Sequence, residues 1–340
     1  MDGRPNDGDR HAFGTLGVGL AGFRENTTVF VLPTNRLVYR YCKIILANMK
    51  IWKLSYAILA LFIALLGLTF VEKPDSHLHL IACDVGQGDA TLIIHGEIQI
   101  LVDGGADSKV LDCLGRYLPY NDREIELVIL THPQIDHFGG LIEVFRRYKV
   151  NDFLVSELDS GTEAYQVLKR EVGGRGVRVI KPDTGLTLRL GKIYIDILHP
   201  SQQFVLANSM KTGTENSQAI LGAYASNKDS NVFSIVARLS VDSFSILLTG
   251  DISPGSESFL LSEGLIQPAQ YIKIPHHGSK NGLTQTFLDA VEPKVAIISV
   301  GKDNRYGHPN QEILDMLKVK GVQILRTDEI GDIEIIPDIK

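Results

Sequence analysis

The sequence predicts one α/β domain with helices outside its sheets, preceded by a single apolar helix. Two observations carry this. From His77 onward, short apolar runs alternate with amphipathic helical runs in two successive strand-and-helix halves. Upstream, "LSYAILALFIALLGLTFV" (Leu54 to Val71) is uncharged and about as long as a bilayer core requires. With 44% apolar and 22% charged residues in 340, the chain has material for a sizeable core and is not of disordered composition. A formal charge of -6 gives no general attraction to phosphate backbones, and no local basic patch stands out.

Residues 1–48, rich in Gly, Asn, Asp and Arg, are expected to be poorly structured. "MKIWK" at Met49 reads like the charged start of an export signal. Two readings of this region stay open, translation from Met49 or a cytoplasmic tail. Residues 49–73 are read as a transmembrane or signal-anchor helix. Arg36, Arg40, Lys43, Lys50 and Lys53 precede the apolar run, so the positive-inside rule places the N-terminus in the cytoplasm and the large C-terminal part outside. No A-x-A site follows, which favours an anchor over a cleaved signal that would release the domain. Cys42, Cys83 and Cys113 form no CxxC pair, so neither a disulfide framework nor a thiolate zinc site is expected, and Cys83 reads as a core cysteine.

In chain order, "HLHLIACDVG", "ATLIIHG" and "IQILVDGG" suggest adjacent strands around a Gly-Gln-Gly turn. "LVIL" is a buried strand, "GLIEVFRRY" has helical spacing, and "DFLVS" is a strand again. "GTEAYQVLKREV" is an amphipathic helix, after which "VRVIK", "LTLRL" and "IYIDILHP" resume strands. A polar stretch from Gln202 to Asn231 lacks periodicity and is long for a connection, as loops that cover enzyme sites are. "VFSIVARLSV" and "SFSILLTGD" are strands, "GSESFLLSEG" a helix, and "YIKIPHHG" a strand. The helix "LTQTFLDAV", strand "VAIISVG", helix "NQEILDMLKVK" and strands "VQILRT" and "DIEIIP" close the chain.

Chemistry-bearing residues recur where these strands end. Asp84, Asp103, the loop "THPQIDHFGG" with His132, Asp136 and His137, then Asp251, then His276 and His277 each follow an apolar strand. One such residue is ordinarily a cap or turn former. Five in succession can meet along a common sheet edge, and a divalent cation needs oxygen and imidazole ligands converging in that way. Gln134 stands where a third imidazole or carboxylate would be expected.

"CDVGQGDATLI", "LVDGG", "THPQIDHFGGL", "SNVFSIVARL", "LLTGDI", "IKIPHHGSKNG", "ISVGKDNRYGHPN" and "RTDEIGDIEI" resemble, in order and spacing, the metallo-β-lactamase-like domain of ComEC-type DNA-uptake proteins. The resemblance covers residues 77–340 and implies a four-layer αββα metallo-β-lactamase-like sandwich with metals at the edge between the sheets. The sequence shows neither the channel nor the nucleic-acid-binding barrel of full-length competence proteins. A separate channel protein is a candidate partner.

Carried over by position, the resemblance makes His132, Gln134, Asp136 and His137 the principal metal loop and Asp251 a carboxylate able to bridge two metals. One of His276 and His277 would be a further ligand. Asp136, His137, Asp251 and one of that pair form a complete mixed nitrogen and oxygen set. His132, Gln134 and Asp251 would form a weaker second site, because an amide oxygen replaces a stronger donor. One or two divalent ions, zinc or manganese, are expected. The only histidine between the principal loop and Asp251 is His199; it reads as a surface residue, and the missing ligand argues against β-lactam hydrolysis.

A metal here would polarise a phosphoryl oxygen and activate water, giving a metal-dependent phosphodiesterase or nuclease outside the cytoplasm, with single-stranded DNA a candidate substrate. His308 is the first choice of acid for the departing alkoxide, and Lys280, Ser279, Asn304 and Tyr306 could hold phosphate oxygens. Asp84, Gln87 and Asp89 are expected to order their turn, Asp103 to support the metal loop, and Asn231 with Ser234 to position Asp251. The competing readings are a phosphocholine-type esterase of envelope polymers and a degenerate binding domain.

Overall fold

The structure, a computed structural model, describes residues 36–69, 75–212 and 221–338. Contacts divide the chain into two units at Val71/Glu72. In the first, a helix runs from Arg36 to Thr69. It therefore begins upstream of Met49, within the segment expected to lack structure; residues 1–35 and 70–74 lie outside the described residues. Its window Asn48–Leu65 has mean hydropathy 1.4 and no burial, so it is long and apolar enough to cross a membrane.

The second unit contains two seven-stranded sheets. The first has the spatial order Ile333–Ile335, Leu78–Ala82, Thr91–His95, Ile98–Val102, Glu124–Leu130, Lys149–Val155, Arg178–Ile180. The second runs Gln323–Arg326, Val295–Ile298, Tyr271–Lys273, Phe244–Leu248, Val236–Val241, Ile193–His199, Thr187–Leu190. Ile93, Ile100, Leu127 and Ile129 of one sheet pack with Ile195, Ile197, Leu239 and Ile246 of the other. Leu92, Leu101 and Val128 point the other way, into a core beneath the helices Val110–Tyr117, Leu141–Arg147 and Glu163–Gly173. The helices Pro254–Ser262, Gln285–Val291 and Gln311–Val319 cover the second sheet through Leu260, Phe287 and Leu317. This is the expected αββα sandwich. Burial on both faces is why its central strands read as continuous apolar runs rather than alternating ones.

Parallel pairing positions the chemistry. Ile98–Val102 runs parallel to Glu124–Leu130, so Asp103 and Thr131-His132 emerge side by side. Phe244–Leu248 runs parallel to Tyr271–Lys273, which brings out Asp251 and the histidine pair together. The Ile235 amide donates to the Thr131 carbonyl (2.9 Å) and joins the two sheets at this edge.

Three expectations need correction. Cys83 and Cys113 form a disulfide inside the first outer core, where both are fully buried. His199 is buried rather than superficial: its Nε2 bonds the Val232 carbonyl (2.9 Å), and its ring packs against Phe204 and Phe259. Within the polar stretch lie the helix Gln202–Asn208, a pairing of Met210–Lys211 with Tyr224–Ala225 and a 3-10 turn Ser230–Phe233, while residues 213–220 fall outside the described residues.

Glu257, fully buried in the helix Pro254–Ser262, accepts a hydrogen bond from the Thr284 amide (2.9 Å), and its Oε1 has no partner among the described residues. Burial pushes its carboxyl up to about 7 against the weaker opposing effect of the Thr284 bonds. The folded state therefore holds this proton more tightly than the unfolded state. The associated stability is complete below the unfolded value of 4.5 and is lost as pH rises through about 7. Glu257→Gln should leave urea unfolding nearly unchanged at acidic pH and stabilise the protein by about 3 kcal/mol at slightly alkaline pH. Unfolding curves of both proteins across that range test this, and an equal pH slope for the two would contradict it.

Candidate metal centre

Each side chain of the site is fixed from behind. Asp103, with φ 60° and nearly full burial, accepts bonds from the Thr131 amide (2.8 Å) and hydroxyl (2.7 Å). Its Oδ2 also takes the Nδ1 side of His137 at 2.8 Å. His277 donates Nδ1–H to the Ser299 carbonyl (2.9 Å), which can only accept. Both rings thereby turn Nε2 forward. Nε2 of His137 stands 3.3 Å from Asp251 Oδ2, and Nε2 of His277 stands 3.5 Å from Oδ2 of both Asp136 and Asp251.

Among the described residues, the buried Nε2 atoms of His132, His137 and His277 have no hydrogen-bond partner. Buried polar atoms ordinarily have one. Two imidazole nitrogens without hydrogen-bond partners, facing the carboxylates of Asp136 and Asp251, fit a divalent cation, and Asp136, His137, Asp251 and His277 could hold it. Asp89 also lies near, with Oδ2 3.9 Å from Nδ1 of both His137 and His277. That side of the rings is already committed, so Asp89 sits behind the opening rather than on it.

The electrostatics agree. Burial pulls the His137 imidazole down, yet Asp251 and Asp103 hold it well above its ordinary value. Burial pushes Asp136 up, but the nearby imidazoles of His277 and His137 keep it down at about 2. A field that forces protons onto buried imidazoles is a field that attracts cations.

The backbone sends the two histidines in different directions. His276 (φ 50°) and His277 (φ 54°) both adopt the left-handed conformation in Pro275–Gly278, which is uncommon outside glycine. The turn drives His277 inward, while the half-buried His276 lines the cleft and gives its amide to Asp251 Oδ1 (3.2 Å). Ser234 Oγ accepts the Asp251 amide (3.1 Å). Gly88 lets the loop from Asp84 to Asp89 lie against the metal loop: its φ is 138°, and a Cβ there would collide with the Asp136 carbonyl. Asp84 caps its own turn at Gly86 (3.1 Å), and Gln87 accepts from the Gly301 amide (3.3 Å).

Gln134 turns its amide nitrogen away, donating to Asn231 Oδ1 (2.6 Å) and Ser230 Oγ (2.9 Å). It ties the 3-10 turn to the metal loop and brings no charge towards His132. In front of these groups lies a cleft of about 830 Å³ whose lining includes Gln134, Asp136, Lys228, His276, Tyr306 and His308. His308 stacks between Tyr306 and His277, and burial together with His277 and His276 pushes its imidazole below the ordinary value. Asn304 bonds the His308 amide (3.0 Å) and carbonyl (2.8 Å), shaping the loop rather than opening to the cleft. Ser279 is half-buried just past the histidine pair and gives its amide to the His276 carbonyl (2.8 Å). Lys280 is corrected: it is exposed, pairs with Glu312 (3.0 Å) and does not line the cleft.

Lys273 went unnoticed in the sequence. Its ammonium is buried against Asp89, 3.4 Å from Asp251 Oδ1. A lysine within "YIKIP" alternates like a solvent-facing strand residue, and only its place beside two buried acids distinguishes it.

Residues 83–194 match the metallo-beta-lactamase superfamily. ComE operon protein 3 of Bacillus subtilis (strain 168) is 24% identical over 269 residues, covering 74% of this chain and 32% of that protein. Recombination protein 2 of Haemophilus influenzae is 27% identical over 275 residues, covering 79% of this chain and 30% of that protein. The chain thus spans about a third of the length of these curated relatives. Among solved structures, the metallo-beta-lactamase fold protein YhfI from Bacillus subtilis superimposes with a TM-score of 0.49 at 15% identity, over 76% of this chain and all of that one.

Proposed function

We propose that this chain, which carries a metallo-β-lactamase domain of the ComEC competence type, is a metal-dependent phosphodiesterase acting on single-stranded nucleic acid outside the cytoplasm. The observation that carries the reading is the pair of partnerless Nε2 atoms, on His137 and His277, facing Asp136 and Asp251. A divalent ion held there, zinc or manganese, supplies a Lewis acid for a phosphoryl oxygen and lowers the pKa of water towards about 7.

The chain's own groups do the rest. Asp103 and the Ser299 carbonyl hold the two ligand rings in the tautomer that leaves Nε2 free. Ser234 and the His276 amide orient Asp251. His132, with its free Nε2, would contribute to a second and weaker site that Gln134 does not strengthen. His308, at the cleft, is positioned to exchange a proton with a leaving oxygen, and an anionic phosphodiester beside it opposes the shift that keeps the ring neutral.

The apolar helix with basic residues before it supports a membrane anchor with this domain outside. The Cys83–Cys113 disulfide supports the same side independently, since such bonds persist in oxidising compartments. The likeness to ComE operon protein 3 supports a role in DNA uptake.

Turnover of bis-p-nitrophenyl phosphate by the metal-stripped protein, with manganese or zinc restored, tests the reaction. Comparison of single-stranded DNA with p-nitrophenylphosphorylcholine tests the substrate. Metal-dependent cleavage of DNA is expected; cleavage of the choline ester alone would transfer the site to envelope polymers, and no metal-dependent cleavage would refute the reading. Asp103→Asn should lower metal affinity by about 10- to 100-fold, because the His137 ring loses its anionic acceptor. Competition with a fluorescent chelator measures this, and unchanged affinity would remove Asp103 from the site's support.

A further inference from the structure

We infer that Lys273 is the site's resident second cation, a positioning residue whose ammonium closes the inner side of the metal position and limits tight binding to one divalent ion. The inference rests on the metal-centre reading above and concerns a residue which that reading does not use. Lys273 is 4% exposed. Its Nζ contacts Asp89 Oδ2 and lies 3.2 Å from the Gly250 carbonyl and 3.4 Å from Asp251 Oδ1.

The arrangement divides Asp251 between two tasks. Oδ1 faces Lys273 and the His276 amide, whereas Oδ2 faces the imidazoles. The plane of the carboxylate is thereby set before any metal arrives. Among the described residues, Asp89 has no hydrogen-bond donor besides this ammonium contact, so the lysine compensates a carboxylate buried without other donors.

Charge counting gives the consequence. Asp89, Asp103, Asp136 and Asp251 oppose Lys273, with the histidines neutral once they act as ligands. One divalent ion leaves the cluster one unit short of neutrality. A second would make it net positive, within a buried site where like charges repel strongly. A metal bound at His132 would meet that repulsion with only the neutral amide of Gln134 beside it.

The test uses the full chain in detergent, stripped with chelator and titrated calorimetrically with manganese. Wild type should bind one equivalent tightly. Lys273→Met removes the ammonium and leaves Asp89 uncompensated, so manganese should bind at least about tenfold more tightly, or a second tight equivalent should appear. The apoprotein should melt lower, with a larger upward shift on adding metal. Lys273→Met with Asp89→Asn removes both charges together and guards against misfolding of the single variant. It should bind one equivalent with affinity within a few-fold of wild type. Equal affinity and stoichiometry for all three proteins would overturn the inference while leaving the metal centre standing, as would two tight equivalents in wild type. Absence of bound metal in all three, with each folded, would overturn the metal-centre reading as well.

Discussion

Asp251→Asn is expected to strip the protein of tightly held metal and to lower phosphodiester turnover about a thousandfold or more. Asp251 is 1% exposed, and its Oδ2 is 3.3 Å from Nε2 of His137 and 3.5 Å from Nε2 of His277. It therefore reaches Nε2 of both candidate imidazole ligands. An amide keeps its shape but removes the charge, and an amide oxygen is a far weaker donor to a hard cation. The apoprotein should also lose stability, since the Lys273 ammonium would keep only Asp89 as a charged partner among the described residues. Metal content after desalting and turnover on the same sample measure the effect, with circular dichroism to verify folding. A folded variant retaining its metal and its rate would exclude Asp251 from the site.

Opening the disulfide should have the largest effect on stability. Cys83 and Cys113 are separated by 30 residues in sequence and are both fully buried beneath the helices of the first sheet. Cross-linking a loop of that length restricts the unfolded chain by roughly 3–4 kcal/mol. The link also anchors the start of the loop that carries Asp89, so its loss reaches the site by a second route. The double variant Cys83→Ala/Cys113→Ala should unfold at markedly lower urea concentration, and reductant should shift wild type but not the variant. Identical midpoints for wild type with and without reductant would show that the bond contributes nothing.

What was legible in the sequence was what local pattern dictates. Strands such as "TLIIH" and "IQILV" carry consecutive apolar residues because one set of their side chains enters the inter-sheet core and the other lies under helices. Polar residues at strand ends were visible for the same reason, and parallel pairing brings Asp103, His132, Asp251 and His277 to one edge. The rest depended on long-range geometry. That His277 is buried while its neighbour lines the cleft depends on two positive φ values that no spacing reveals. Cys83 and Cys113 looked unpaired because they meet only through the packing of a strand end on a helix. Gln134 read as a damaged ligand, although its amide nitrogen secures the turn at Ser230 and Asn231. Lys280, beside the histidine motif, points to Glu312, and the lysine that does reach the acids is Lys273, inside the preceding strand.

Crystals of the chain loaded with manganese or zinc, measured above and below the absorption edge of the metal, locate the bound ion. An anomalous peak is expected between Nε2 of His137 and His277 and Oδ2 of Asp136 and Asp251. Loaded crystals with no peak among those four atoms, or with the metal held elsewhere on the domain, would contradict that expectation.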